Sequence, residues 1–99
     1  MSLFVFRFGY ESPADEDSNT IGGWDDESSQ WIIIDAPNEA AAMSWGDEIA
    51  EQFVCALGAK QSWRSGNFAR WVEPLAACPW ATGKEVVAIG QIPDFSKWI

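Results

Sequence analysis

The sequence predicts a two-layer α+β fold in which one helix packs on a three- to four-stranded, mostly antiparallel sheet. Three observations predict it. Residues Leu3 to Tyr10 alternate at period two, the signature of a strand with one buried face. Residues 37–57 place apolar side chains at helical spacing, which marks a helix lying on a core. Val86-Val87-Ala88-Ile89 is a β-branched run stopped by Pro93. A chain of 99 residues, 47% hydrophobic and 21% charged, has a globular balance and room for one core, so residues 1–99 are read as one domain.

In the first strand Phe4, Phe6, Phe8 and Tyr10 share one face and Leu3, Val5, Arg7 and Gly9 the other. The aromatic face is assigned to the core. Residues 11–30 hold Pro13, Gly22, Gly23 and four serines without a sustained period, and are read as a long acidic loop. Trp31 to Ile34 reads as a short strand, apolar on both faces. A helix is predicted from Pro37 to Leu57. Proline loses nothing in a first turn, Glu39 complements the positive end of the helix dipole, and Gly58 supplies a left-handed cap. Its apolar face is Ala42, Gly46, Ile49, Ala50, Phe53 and Leu57. Gly46, which costs about 1 kcal/mol relative to alanine inside a helix, is read as the point where helix and sheet approach closely.

Further on, Gln61 to Arg64 reads as a short strand, Asn67 to Glu73 as one helical turn ended by Pro74, and Leu75 to Lys84 as loop. Glu85 to Ile92 is the last strand, and the tail from Asp94 to Ile99 offers Phe95 and Trp98 for docking. Two strands, Trp31–Ile34 and Val86–Ile89, do not alternate, so their second face must be covered. The Trp-rich irregular segment 63–80 is expected over it, with Trp63, Phe68, Trp71, Leu75 and Trp80. Prolines and glycines argue against a continuous lid, and the uncovered remainder predicts a homodimer contact opposite the helix.

Charge narrows the function. Fifteen acids against six bases give −9, with 12 of the acids in residues 1–51 beside Arg7 alone. That sign disfavours nucleic acid and anionic membrane as partners. No apolar run reaches a membrane span, the N-terminus lacks a signal-peptide pattern, and two cysteines make no disulfide framework. Cys55 is read as buried and Cys78 as partly exposed, both reduced, in a cytoplasmic protein. With no histidine and no nucleotide loop, neither enzymatic activity nor a cofactor is expected. Asp15-x-Asp17-x-Asn19 imitates the start of a calcium loop, but Thr20 and Asp26 stand where glycine and glutamate are required, so no metal site is assigned.

The reading that remains is a small acidic interaction protein that docks a basic protein partner, a chemistry that fits an inhibitor, antitoxin or immunity role. The candidate partner-binding residues are Asp15, Glu16, Asp17, Trp24, Asp25, Asp26 and Glu27, with carboxylates steering and Trp24 anchoring. Asp47, Glu48 and Glu51 on the helix would extend the patch. The competing reading is a small-molecule or carbohydrate module built on exposed members of the seven tryptophans, with a cation in the acidic loop as a variant. Trp31, Trp45 and Trp71, among apolar neighbours, are assigned to the core.

Overall fold

The computed structural model describes residues 2–22, 28–59, 62–66, 68–81 and 85–98, with residues 17–21 and 97 described by secondary structure alone. Strands β1 (Ser2–Tyr10), β2 (Ser28–Ala36), β3 (Arg70–Pro74) and β4 (Val86–Ala88) form one sheet in the order β3-β1-β2-β4. β1 is antiparallel to β2 and β3, and β2 is parallel to β4. The main helix, α2 (Glu39–Ala56), packs on one sheet face, and a shorter helix, α1 (Pro13–Gly22), lies in the connection from β1 to β2. The architecture is the predicted α+β sheet with one main helix, mostly antiparallel.

β1 is the centre of the core. Its register pairs Phe4 with Ile34 and Phe6 with Ile32, so these side chains share the face that α2 covers. Phe6 and Phe8 are fully buried, as are Ile32, Ile34 and Val87 from the neighbouring strands. The rings meet edge to face: Phe53 of α2 lies 6.0 Å from Phe8 and 5.1 Å from Tyr10. The C-terminal tail closes over the same helix residue, with Phe95 at 5.4 Å and Trp98 at 5.0 Å from Phe53. Docking of the tail is as the sequence implied.

α2 begins two residues later than predicted. Asn38, in extended conformation, is the N-cap, and its side chain accepts a hydrogen bond from the Ala41 N–H at 2.8 Å. Pro37 therefore precedes the cap instead of occupying the first turn. An asparagine oxygen satisfies an orphan amide, which outweighs the neutral benefit of a proline inside the turn. Gly58, at φ 84°, takes the left-handed conformation after the helix. Gly46 is buried, and a Cβ there would overlap the Phe6 ring. That is the close approach read from its position.

Four local expectations are corrected. Residues 13–22 are helix and 28–30 belong to β2, so neither stretch is part of a long loop. The strand expected at Gln61 to Arg64 is not found at Ser62 to Arg64, where Trp63 precedes a 3-10 turn at Arg64–Gly66, and Gln61 lies outside the described residues. Arg70–Pro74 is β3 and not a helical turn, because pairing with β1 outweighs local preference. β4 stops at Ala88, five residues before Pro93, because Gly90 at φ 89° turns the chain and the Gln91 N–H closes onto the Ala88 carbonyl at 3.0 Å.

The Trp-rich segment divides between the two faces. Trp63 enters the core on the α2 side, 4% exposed, and its Nε1–H donates to the Gly9 carbonyl at 2.8 Å. Phe68 packs on that side as well. Only the stretch from Trp71 onward serves the second face. There Leu75, Cys78 and Ala81 cover Val5 and Ile33, helped by a 3-10 turn at Leu75–Ala77.

The close approach at Gly46 sets opposing effects against each other. Gly46→Ala gains about 1 kcal/mol of helix propensity, but overpacking against a fixed ring costs about 1–3 kcal/mol. We expect a net loss of up to about 2 kcal/mol in urea unfolding; a stabilised variant would show that α2 can ride away from Phe6.

Candidate interaction surface

The acidic connection holds fewer free carboxylates than its composition implies. Ser12-Pro13-Ala14-Asp15 is a capping box with proline in the first helical position. The Ser12 hydroxyl accepts from the Asp15 N–H, and Asp15 Oδ2 accepts from the Ser12 N–H, both at 3.1 Å. Asp15 Oδ2 also accepts from the Ser28 hydroxyl at 2.8 Å, tying the start of α1 to the start of β2. Burial opposes the Asp15 charge, but these hydrogen bonds from Ser12 and Ser28 outweigh it and hold the carboxyl below its usual range. The same carboxylate, after burial itself, helps push the Tyr10 hydroxyl up. Asp15 is thus a structural clasp and not an open docking charge.

Glu16 follows it in the first turn of α1, half-buried. Asp17 is placed on α1, and Trp24, Asp25, Asp26 and Glu27 lie outside the described residues. The calcium-like spacing falls on α1, a helix and not the loop that such a site is built from. Among the described residues no group of three His, Cys, Asp or Glu side chains is placed to hold a metal ion.

The acids of α2 do not extend an open patch. Asp47 is ion-paired with Arg70. Glu48 meets Arg64 at 3.1 Å and accepts from Gln52 at 3.0 Å. Glu51 accepts from the Arg64 backbone N–H at 3.0 Å. The segment after α2 brings two of the chain's six bases back onto this helix, a long-range pairing that no local spacing encodes.

What the fold exposes is aromatic. On the sheet face away from α2, the register aligns Trp71, Arg7 and Trp31 across β3, β1 and β2. The Arg7 guanidinium carbon lies 5.2 Å from the Trp71 ring centre and 5.8 Å from that of Trp80. Trp80 in turn stands edge-on to Trp31 at 5.2 Å and 84°. Trp71 is 40% and Trp80 49% exposed, which overturns the assignment of Trp71 to the core: it sits on an edge strand beyond the reach of the covering segment. Leu3 and Val86 are also exposed large apolar residues on this face, which carries Asp35 and Glu73 as well. Seven tryptophans announced aromatic surface; which of them reach it depends on strand order.

Two open clefts of about 240 and 290 Å3 lie elsewhere, on the helix side. Trp63, Phe68, Asp47 and Arg70 line the first, and Glu11, Glu16, Val54 and Phe68 line part of the second. Both fall below the ~300–1,000 Å3 typical of pockets that enclose a small molecule.

The cysteines exchange their predicted environments. Cys55 is exposed on α2 and Cys78 is 1% exposed beneath the covering segment. Helical phase turns residue 55 away from the Phe53 face. Residue 78 is drawn inward among Val5, Ile33 and Ala81, and its thiol donates to Glu73 Oε2 at 3.2 Å. Burial, then the Glu73 hydrogen bond and charge, pushes the Cys78 thiol up.

Two measurements follow from these geometries. A disulfide reagent at mildly alkaline pH should label Cys55 at least about tenfold faster than Cys78, because thiolate fraction and access both favour Cys55; equal rates would mean that the covering segment opens freely. Asp15→Ala should cost about 1 kcal/mol in urea unfolding, as loss of a capping side chain does. The Asp15 carboxyl is lowered in the folded chain, so its contribution is complete above the unfolded value and is lost as pH falls through the folded one. Wild-type stability should accordingly decline below about pH 4 more steeply than that of the variant; parallel curves would show that the clasp does not form.

No protein family, no curated protein and no solved structure matches the chain.

Proposed function

We propose that this chain is a non-enzymatic interaction domain that docks a basic protein partner on the sheet face opposite α2. The observation that carries the reading is the pair of exposed indoles, Trp71 and Trp80, set around half-buried Arg7 and Trp31 on the face opposite α2. Tryptophan and arginine are the residues that most often dominate binding energy at protein interfaces. A net charge of −9 selects the sign of the partner and accelerates its approach. An inhibitor or immunity role, in which a cationic enzyme is neutralised, fits this chemistry. So does a cytoplasmic setting, since both cysteines are free and no helix among the described residues is long and apolar enough to cross a membrane.

Two competing occupants are less favoured. A sugar would stack on an open indole face, whereas Trp71 and Trp80 each present a face to the Arg7 guanidinium. A second copy of the chain would bring another −9 against the first, which opposes association at low salt.

The test uses paired baits in an extract of the native cell. Wild-type chain should retain a basic protein that elutes as salt rises from about 50 to 500 mM, and the Trp71→Ala/Trp80→Ala double variant should lose that protein. Loss of about tenfold or more in affinity is the scale expected for paired aromatic anchors. Identical retained sets on both baits would overturn the reading. A scattering mass of twice the 11.0 kDa chain, abolished by the same substitutions, would give the face to a second copy instead.

A further inference from the structure

The two edges of the sheet are treated differently. On the β4 side of the sheet several outward ladder groups are occupied. β4 pairs with Ile33, Ile34 and Asp35, the Gln30 side chain accepts from the Trp31 N–H at 3.2 Å, and the Gln91 side chain accepts from the Ala88 N–H at 3.1 Å. At the β3 edge they are not. The Gly9 N–H donates to the Ala69 carbonyl at 2.9 Å. The two-residue period of an antiparallel ladder then turns the backbone groups of Trp71 and Glu73 to β1 as well. Arg70, Val72 and Pro74 turn theirs outward. Among the described residues, nothing engages the backbone N–H or carbonyl of Arg70 or Val72. Arg70, Trp71, Glu73 and Pro74 are all exposed.

We infer that the outer rim of β3 is a strand-addition site, where an extended, basic segment of the protein partner joins the sheet as a fifth strand. The inference rests on the docking function proposed above and names how the partner engages. The Arg70 and Val72 N–H groups and the Arg70, Val72 and Pro74 carbonyls supply the ladder, and Pro74 ends it by offering no donor. Side chains of the added strand that face away from α2 pass beside Trp71 and Glu73. A β-branched or aromatic residue suits the first neighbour, and a lysine or arginine suits the second. Alternate side chains pass Arg70, whose charge Asp47 already neutralises. The −9 of the chain and the carboxylate of Glu73 at the rim commit the site to a basic segment instead of a second acidic copy. The rim is also short, five residues against nine in β1, which limits unspecific edge pairing.

The experiment pans a library of random linear peptides on the full chain and follows backbone amide exchange by NMR. Enriched peptides should be basic and rich in strand formers. They should slow exchange at the Arg70 and Val72 amides while leaving the Trp71 amide, already paired with β1, unchanged. Val72→Pro removes one outward donor and no β1 hydrogen bond, and should weaken the best peptide at least tenfold. If that variant fails to fold, the wild-type exchange pattern decides. No enrichment, enrichment of acidic peptides, or binding that leaves Arg70 and Val72 exchanging as in the free chain overturns the inference. Protection of these amides that rises with concentration of the chain alone also overturns it, in favour of pairing between copies. Trp80→Ala separates this outcome from that of the docking function, because Trp80 stands against Trp31 of β2 and supplies no group to the β3 ladder. Loss on Val72→Pro but not on Trp80→Ala supports the rim and counts against the outer-face anchor. Loss on Trp80→Ala alone, with Arg70 and Val72 unprotected, does the reverse.

Discussion

The contact between Gly46 and the ring of Phe6 sets the geometry from which the rest of the molecule follows. It brings the backbone of α2 down onto β1 and lines Phe53 up with Phe8 and Tyr10. Phe53 then becomes the seat for Phe95 and Trp98 of the tail. Because side chains alternate along a strand, fixing Phe6 inward also fixes Arg7 outward, and a slip of one residue would reverse both. The exposed aromatic surface is therefore a consequence of the core: Arg7 stands where it does because Phe6 and Phe8 are fully buried on the other side.

Residues 1–51 follow the sequence closely wherever hydrophobic period is strong. The alternation of Phe4, Phe6 and Phe8 and the apolar stripe through Ile49 and Phe53 are signals that tertiary context only reinforces. α1 escapes the same test because Pro13–Gly22 holds too few apolar residues to show a stripe. Its evidence was instead the pattern Ser12-Pro13-x-Asp15, a start signal independent of hydrophobicity. β3 escapes for a related reason: in Arg70-Trp71-Val72-Glu73-Pro74 only Val72 is buried, so an edge strand of five residues has no period to detect. Its identity comes from β1, which supplies the partner backbone.

The interaction surface was legible as chemistry and not as place. An excess of tryptophan and of acid is a property of composition, while the division of Trp63 from Trp71 depends on where the chain crosses between faces. Trp63 finds a buried acceptor in the Gly9 carbonyl, which an indole N–H needs in a core. Trp71 has no such enclosure. The acids show the same dependence on long-range order. Asp15 closes a helix, and Asp47, Glu48 and Glu51 are met by Arg64 and Arg70 from a different part of the chain. Local charge counts thus overstate the carboxylates available for docking, although the total of −9 still sets the long-range field.

Arg7 joins these two halves. A guanidinium in so acidic a chain has carboxylates in abundance, yet among the described residues its contacts are the faces of Trp71 and Trp80. Each exposed cation–π contact contributes only about 0.5–1 kcal/mol to the fold. Its greater effect is on order. Large exposed side chains that bind a partner normally give up rotamer freedom, at about 0.5–1.5 kcal/mol apiece, and two indoles held against one guanidinium, with Trp31 bracing Trp80 from the side, have given up much of it beforehand. In the docking proposed for this face the acid excess and the aromatic set have separable roles: the field sets how often a basic partner arrives, and the rigid rings set how long it stays. A carboxylate partner for Arg7 would have neutralised the cation but left both indoles free to turn, so the arrangement found is the one that the proposed docking requires.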